Sequence, residues 1–321
     1  MRPLRDLLTQ IPPPPQAVEE LFLVSILPIA AGALPCFKAA MKTSKWLALW
    51  GAASVAILTA CADQQKETTE TDKDAVPAFA STYEPLPSEK TLITNAHIID
   101  GLGAEIEGGN LLVENGKIVT ISTDDISMDG VTQKIDANGR FLTPGIIDVH
   151  SHLGNYPSPA VNAHSDGNEV TSPVTAEVYA EHGVWPQDPG FDEALQGGVT
   201  TLHILPGSAN LFGGRGVTLR NVPSRTVQGM KFPDAPYTLK MACGENPKRV
   251  YGKKGGPGSR MGNVAHYRKT WIKAQEYQKK LKSGDGVKRD LQLETLAGVL
   301  NGEILVQMHC YRADEMAQVL D

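Results

Sequence analysis

The sequence predicts an α/β protein in which a small β lobe precedes a domain of alternating strands and helices. Residues 91–143 contain short apolar runs, and an Asn-Gly pair at 115–116 separates two of them, as in a tight hairpin. Beyond residue 144, apolar strand patterns alternate with amphipathic helix patterns up to residue 321. Such alternation is typical of a parallel α/β arrangement, and we expect about five strands in it.

Composition and charge exclude some classes of function. The 321 residues carry a formal net charge of −6 and are 41% hydrophobic and 21% charged, which is ordinary for a globular protein. Nucleic-acid binders usually present a basic face, so we expect no nucleic-acid partner. The four cysteines (Cys36, Cys61, Cys243 and Cys310) are scattered and form no Cys-x-x-Cys pair, so the sequence predicts neither a disulfide framework nor a zinc knuckle.

The segment before the β lobe is predicted to target and anchor the protein. Residues 41–61, MKTSKWLALWGAASVAILTAC, contain two lysines followed by an apolar stretch, which is the pattern of a signal peptide. The closing Leu-Thr-Ala-Cys resembles the lipobox of bacterial lipoproteins, which implies lipid on Cys61 and attachment to a membrane surface without a spanning helix. An uncleaved signal anchor is the alternative.

Two further segments surround this signal. Residues 62–90 are polar and charged with few large apolar side chains, as in a tether that holds a domain away from a lipid surface. Residues 1–40 have no evident role and are interpreted as a non-native upstream extension, with Met41 as the true start. The lipobox resemblance, with Ala62 after the cysteine, implies a lipid-anchored protein of the bacterial cell envelope that faces the periplasm from the outer membrane.

The stretch FLTPGIIDVHSHLG, residues 141–154, ends an apolar strand with two histidines that are one residue apart. Residues i and i+2 of a strand point to the same face, so His150 and His152 are expected to project together. The C-terminal ends of parallel barrel strands are where active sites form. Two convergent imidazoles can chelate a divalent metal such as zinc, although two histidines held by structural hydrogen bonds are the alternative.

Four stretches of residues 91–321 together resemble the amidohydrolase superfamily, specifically its imidazolonepropionase-like and prolidase-like members. LTPGIIDVHSHLG is similar to the first metal-binding barrel strand and GGVTTLHILPGS to the second. KMACGENPKRVYG is similar to the fourth-strand region and LVQMHCYRADEM to the fifth strand. The resemblance implies a partial (β/α)8 TIM-like barrel of about five strands, residues 144–321, after a small β-sandwich-like lobe at residues 91–143.

The same resemblance implies the ligands of the metal site. His150 and His152 match the histidines of one metal position, and His309 matches the ligand of the fifth strand. Lys240 matches the lysine that is carboxylated and bridges two metals, and it would then take part in catalysis. Glu245 is the alternative ligand, and a lysine that snorkels to the surface is the structural alternative.

Three other side chains are expected around this site. Arg215 and Arg249 are candidates for binding a substrate carboxylate through the planar guanidinium group. The glycine-rich sequence around Arg215 is also compatible with a simple loop. His203, in the second strand, is expected to lie in the core or behind the ligands rather than to bind metal.

The resemblance implies a hydrolase of C–N bonds in small amides, cyclic amides or dipeptides. Its expected cofactor is a divalent metal, one or two zinc ions, that activates water for attack on the carbonyl. The sequence offers no candidate for the family's strand-6 histidine or strand-8 aspartate, so we expect a truncated chain with little or no activity. The alternative function is a membrane-tethered binding or scaffold protein with a degenerate barrel.

Overall fold

The computed structural model describes residues 79–284 and 286–320. The upstream extension, the signal peptide, Cys61 and the first part of the tether lie outside the described residues. Across the described ranges, every helix is too short or too polar to cross a bilayer.

The β lobe is a single mixed sheet with a small apolar core. Its strands are β1 (Thr91–Ile99), β2 (Glu105–Glu114), β3 (Lys117–Ser122), β4 (Gln133–Asp136) and β5 (Phe141–Leu142). β1 pairs antiparallel with β2 and parallel with β4 and β5, and β2 pairs antiparallel with β3. The expected hairpin joins β2 to β3, where Asn115 and Gly116 adopt φ angles of 53° and 71°.

Five further strands form the second sheet, in the partial TIM-like barrel that the resemblance implied. They are β6 (Ile146–Ser151), β7 (Val199–Ile204), β8 (Phe212–Arg220), β9 (Thr238–Ala242) and β10 (Leu305–His309). They lie side by side in chain order. β6 is parallel to β7 and β9 is parallel to β10.

The expectation of a wholly parallel sheet is wrong at β8, which runs antiparallel to both β7 and β9. The connection from β7 to β8 is residues 205–211, which is too short for a parallel crossover of about a dozen residues or more. The chain therefore reverses directly, and the glycine-rich stretch becomes a strand rather than a loop. A single reversed strand lies among four strands that share one direction.

Helices cover one face of this sheet. They are α1 (Pro189–Gln196), α2 (Val227–Met230), α3 (Glu245–Tyr251), α4 (Arg260–Ser283), α5 (Leu291–Leu300) and α6 (Ala313–Leu320). Leu239 and Met241 of β9 pack in one core with Ala274 of α4 and Leu296 of α5. Because side chains alternate along a strand, Lys240 projects from the opposite face of the sheet.

The segment 79–90 is part of the folded unit, whereas the composition placed it in the tether. The Lys231 ammonium donates to the Phe79 carbonyl at 2.7 Å, and the Ser81 hydroxyl donates to the Lys231 carbonyl at 2.6 Å. The Arg220 guanidinium lies 4.8 Å from the centre of the Tyr83 ring. This otherwise polar segment therefore packs on the folded unit, and its aromatic residue Tyr83 contacts Arg220 there.

Candidate active site

His150 and His152 lie side by side at the end of β6, as the strand alternation predicts. Their ring centroids are 5.2 Å apart and the rings are nearly perpendicular. His152 Nδ1 is 2.7 Å from the Leu205 carbonyl; because a carbonyl only accepts, Nδ1 carries the proton and Nε2 keeps its lone pair. Metal-binding histidines are commonly oriented by such a hydrogen bond from the other ring nitrogen.

Lys240 contacts one of these histidines, although β7 and β8 separate its strand, β9, from β6 in the sheet. It is 1% exposed, and its Nζ lies 3.0 Å from His150 Nε2, to which it donates. Burial lowers the pKa of Lys240 to about 8, because a charged ammonium is poorly solvated there. At pH 7 roughly a tenth of this amine is neutral, far more than for an ordinary lysine.

His309 ends β10, directly beside β9 in the register that pairs it with Ala242. The Asn246 side-chain amide donates to His309 Nε2 at 3.2 Å. Burial, followed by the charge of Lys240, lowers the pKa of His309. The same two causes lower the pKa of His150, and burial lowers that of His152. Lowered pKa values favour neutral imidazoles, the form that binds metals.

His203 is held as a structural residue behind these groups. Its Nδ1 is 3.0 Å from the Thr218 hydroxyl and its Nε2 is 2.7 Å from the Thr238 hydroxyl. Burial, together with repulsion from His150 and Lys240, lowers the pKa of His203 to about 4. Both ring nitrogens are therefore engaged, in agreement with the core assignment made from the sequence.

The two candidate arginines lie in different surroundings. Arg215 pairs with Leu239 across β8 and β9, so it shares the face opposite to Lys240. Its Nε donates to the Thr295 hydroxyl of α5 at 2.9 Å, and its guanidinium lies 4.7 Å from the centre of the Tyr179 ring. The structure does not bring Arg215 to the histidines.

Arg249, in contrast, lines a cavity of about 410 Å³ together with His152. Polar side chains that the sequence analysis missed line the same cavity, namely Tyr156, Asn168, Ser208 and Asn246. Ser208 and Asn246 belong to two stretches already matched to the family, GGVTTLHILPGS and KMACGENPKRVYG, so the sequence offered a signal for these two residues. Tyr156 and Asn168 lie outside the matched stretches. The cavity therefore offers one cationic group and several neutral hydrogen-bonding groups beside His152.

The donor set fits a divalent metal in chemistry, although its side chains are not gathered at a single point. Among the described residues, no three His, Cys, Asp or Glu side chains converge as metal ligands. Lys240 already contacts His150 Nε2, and His152 keeps a free Nε2. Glu245 is exposed at the first turn of α3, and its charge acts on His309. Neutral imidazoles and a partly neutral amine are suitable zinc ligands or precursors of them.

Cys243 and Cys310 form a disulfide that the sequence analysis did not predict. They are 67 residues apart in sequence, and their Cα atoms are 5.2 Å apart in space. The two residues directly follow β9 and β10. Only the parallel register of those two strands brings them together.

Comparisons with known proteins agree with the fold. No protein-family model matches the chain. The amidohydrolase tasK of Hapsidospora irregularis is 32% identical over 271 residues, which are 76% of this chain and 27% of that protein. The crystal structure of an amidohydrolase from Thermotoga maritima MSB8 superposes with a TM-score of 0.66 at 38% identity and covers 72% of this chain.

A third relative, the 5'-deoxyadenosine deaminase of Methanobrevibacter smithii, is 42% identical over 115 residues, 35% of this chain and 26% of that protein. This chain spans 61% of the Thermotoga maritima chain and 27% of tasK. The chain belongs to the amidohydrolase superfamily.

Proposed function

We propose that the protein is a metal-dependent hydrolase of C–N bonds in small amides, cyclic amides or dipeptides. The observation that carries this proposal is the convergence of His150 and His152 from β6 with Lys240 from β9, whose Nζ lies 3.0 Å from His150 Nε2. Relatives named amidohydrolase, dihydroorotase and deaminase support C–N bonds as the reacting class.

His150, His152, Lys240 and His309 would hold one or two divalent metal ions, with zinc as the expected element. A bound ion supplies Lewis-acid activation of water and of the substrate carbonyl. The Leu205 carbonyl fixes the tautomer of His152 at 2.7 Å. The His152 contact positions a ligand before metal arrives, which is how supporting hydrogen bonds raise metal affinity. The Asn246 amide donates to His309 Nε2, so His309 would exchange this contact for the metal if it binds through that nitrogen.

Lys240 suits the role of a carboxylated lysine. Its buried amine, with a pKa of about 8, is neutral often enough to attack carbon dioxide. In that step Nζ forms a bond to the carbon of carbon dioxide and releases a proton, which leaves a carbamate with two oxygen donors. Glu245 is the alternative oxygen ligand from a side chain that needs no modification.

The substrate is proposed to carry a carboxylate that Arg249 binds. Arg249 lines the cavity beside His152, and a guanidinium binds carboxylates through two parallel hydrogen bonds. The proposed location is the bacterial cell envelope, with lipid on Cys61 as the anchor. The Cys243–Cys310 disulfide supports an oxidising compartment such as the periplasm, where disulfides persist.

Zinc content tests the proposal. The full chain should retain about one zinc ion or more per molecule after dialysis, measured by mass spectrometry of the element. The His150→Ala/His152→Ala double variant should lose it. The His164→Ala/His266→Ala variant is the matched control, since it removes two histidines that contact Trp185 and the Gly262 carbonyl instead.

Zinc-free wild-type protein that still binds small-molecule ligands would support the tethered scaffold instead and refute the hydrolase. The expectation that the 321-residue chain is poorly active stays a prediction, which an assay of amide hydrolysis by the purified chain checks.

A further inference from the structure

The Cys243–Cys310 disulfide lies close in sequence to two candidate metal ligands, Lys240 and His309. Cys243 follows β9 three residues after Lys240, and Cys310 is the residue directly after His309. The Cys243 amide donates to the His309 carbonyl at 2.8 Å, so the ladder between β9 and β10 continues into the cysteines. The covalent link therefore joins the two strand ends that present Lys240 and His309.

β10 depends on β9 for its position. Within the described ranges, β10 pairs with β9 alone and forms one edge of the sheet. Leu305 and Val306 at its start are 59% and 42% exposed, so little packing holds that end of the strand. A cross-link at the other end, beside His309, restrains the part of β10 that carries the ligand.

The surroundings of Cys243 and Cys310 are compatible with both the disulfide and the two free thiols. Cys243 is buried, and its sulfur lies 3.6 Å from Glu315 Oε2, so a reduced thiol would have an acceptor for its proton. Glu315 is in turn paired with Arg260. Cys310 is only half-buried, which makes its sulfur the one that an exchange partner reaches first.

We propose that Cys243 and Cys310 form a reversible disulfide that fixes the His309 strand to the Lys240 strand and thereby controls metal retention at the site. The oxidant is a disulfide compound of the general form RSSR. The Cys310 sulfur attacks it and forms a mixed disulfide, with release of one RSH. The Cys243 sulfur then displaces the second RSH, so two cysteine thiols are oxidised and one disulfide is reduced to two thiols.

The claim that the disulfide controls metal retention rests on the proposed function. The claim that the disulfide fixes β10 to β9 does not. The first measurement is therefore made on metal-free full-length protein. Peptide mapping without reductant should yield a linked peptide that contains Cys243 and Cys310. Hydrogen exchange of the β10 amides, Leu305–His309, should become faster by about tenfold or more when a phosphine reductant is added, while exchange in β2, Glu105–Glu114, stays unchanged.

The Cys243→Ala/Cys310→Ala variant is the matched control, because its β10 amides should exchange fast with and without reductant. Absence of the linked peptide overturns the proposal, and so does a linked peptide with unchanged exchange in β10. A change of exchange in β2 as well would mean general loosening of the fold and would also overturn it.

The second measurement is the rate at which zinc passes from the protein to a chelator. Reduction should raise this rate by about tenfold or more, within the range by which supporting contacts change metal affinity, and should not affect the cysteine-free variant. Equal rates before and after reduction would overturn the link to the site. Protein that holds no zinc, whether oxidised or reduced, would refute the proposed function. The hydrogen-exchange experiment would still test whether the disulfide restrains β10.

Discussion

Replacement of Lys240 by methionine should stabilise the metal-free protein near neutral pH. Burial lowers the pKa of this lysine from 10.5 to about 8, so the folded state disfavours the ammonium form that the unfolded chain carries. At about 1.4 kcal/mol for each pKa unit, the difference is about 3 kcal/mol. Methionine also removes the hydrogen bond to His150, worth about 1 kcal/mol. We expect Lys240→Met to raise the free energy of unfolding by about 2 kcal/mol at pH 7.

The stability difference between the wild type and Lys240→Met should change with pH in a defined direction. The folded pKa lies below the unfolded value, so the penalty is fully present below pH 8. It is lost between pH 8 and 10.5 as the unfolded chain also gives up its proton. The wild-type protein should therefore gain stability relative to Lys240→Met across that window, until the two differ only by the lost hydrogen bond. Urea unfolding with a chelator present, at pH 7 and pH 10, measures both differences.

Lys231→Met is the matched control, because it makes the same chemical change at another buried lysine. Lys231 Nζ lies 2.8 Å from Glu181 Oε2, whose side chain is 1% exposed. Removal of the ammonium leaves the buried Glu181 carboxylate without a cation, with the Tyr237 hydroxyl as its remaining donor at 2.6 Å, which should cost about 3–5 kcal/mol. If Lys240→Met also destabilises the protein at pH 7, Lys240 is stabilised by a partner and the account of its lowered pKa is refuted.

Two further predictions follow from single polar groups. Asp188 accepts hydrogen bonds from the amides of Gly154, Ser158 and Gly190, so Asp188→Ala should lower the free energy of unfolding by about 2–3 kcal/mol; an unchanged urea midpoint would contradict this. Thr238→Val removes the partner of His203 Nε2 and should cost about 1–3 kcal/mol, measured in the same way. Its zinc content should equal that of the wild type, and loss of zinc would show that the His203–Thr238 contact supports the metal site.

Much of the strand framework could be predicted because apolar runs mark it. β6, β7, β9 and β10 each follow a short apolar pattern, and the one-residue spacing of His150 and His152 was sufficient to predict adjacent rings. Local sequence carries this information, because strand alternation alone decides which side chains share a face.

β8 could not be predicted from its own sequence, because this glycine-rich stretch forms a strand through its pairing with β7 and β9. Gly214 has a φ of 115°, and a side chain there would come within 2.6 Å of the Val178 carbonyl. The glycines that resemble a loop signal therefore permit close approach of backbone inside a sheet. The direction of β8 and the Cys243–Cys310 contact both depend on strand register, which pairs residues that are far apart in sequence.

The position of Arg215 could not be predicted from the sequence either, because it also depends on strand register. Once β8 is a strand in register with β9, Arg215 must face α5, where Thr295 accepts its hydrogen bond. Arg249 differs because it belongs to α3, which begins directly after β9 and borders the cavity beside His152.

X-ray absorption at the zinc edge tests the central claim most directly. Full-length protein loaded with zinc should show a first shell of nitrogen or oxygen atoms at about 2.0–2.1 Å, with the outer-shell scattering of at least two imidazoles that His150→Ala/His152→Ala removes. A first shell with sulfur at about 2.3 Å, or an imidazole signal that survives in that variant, would contradict the site described here.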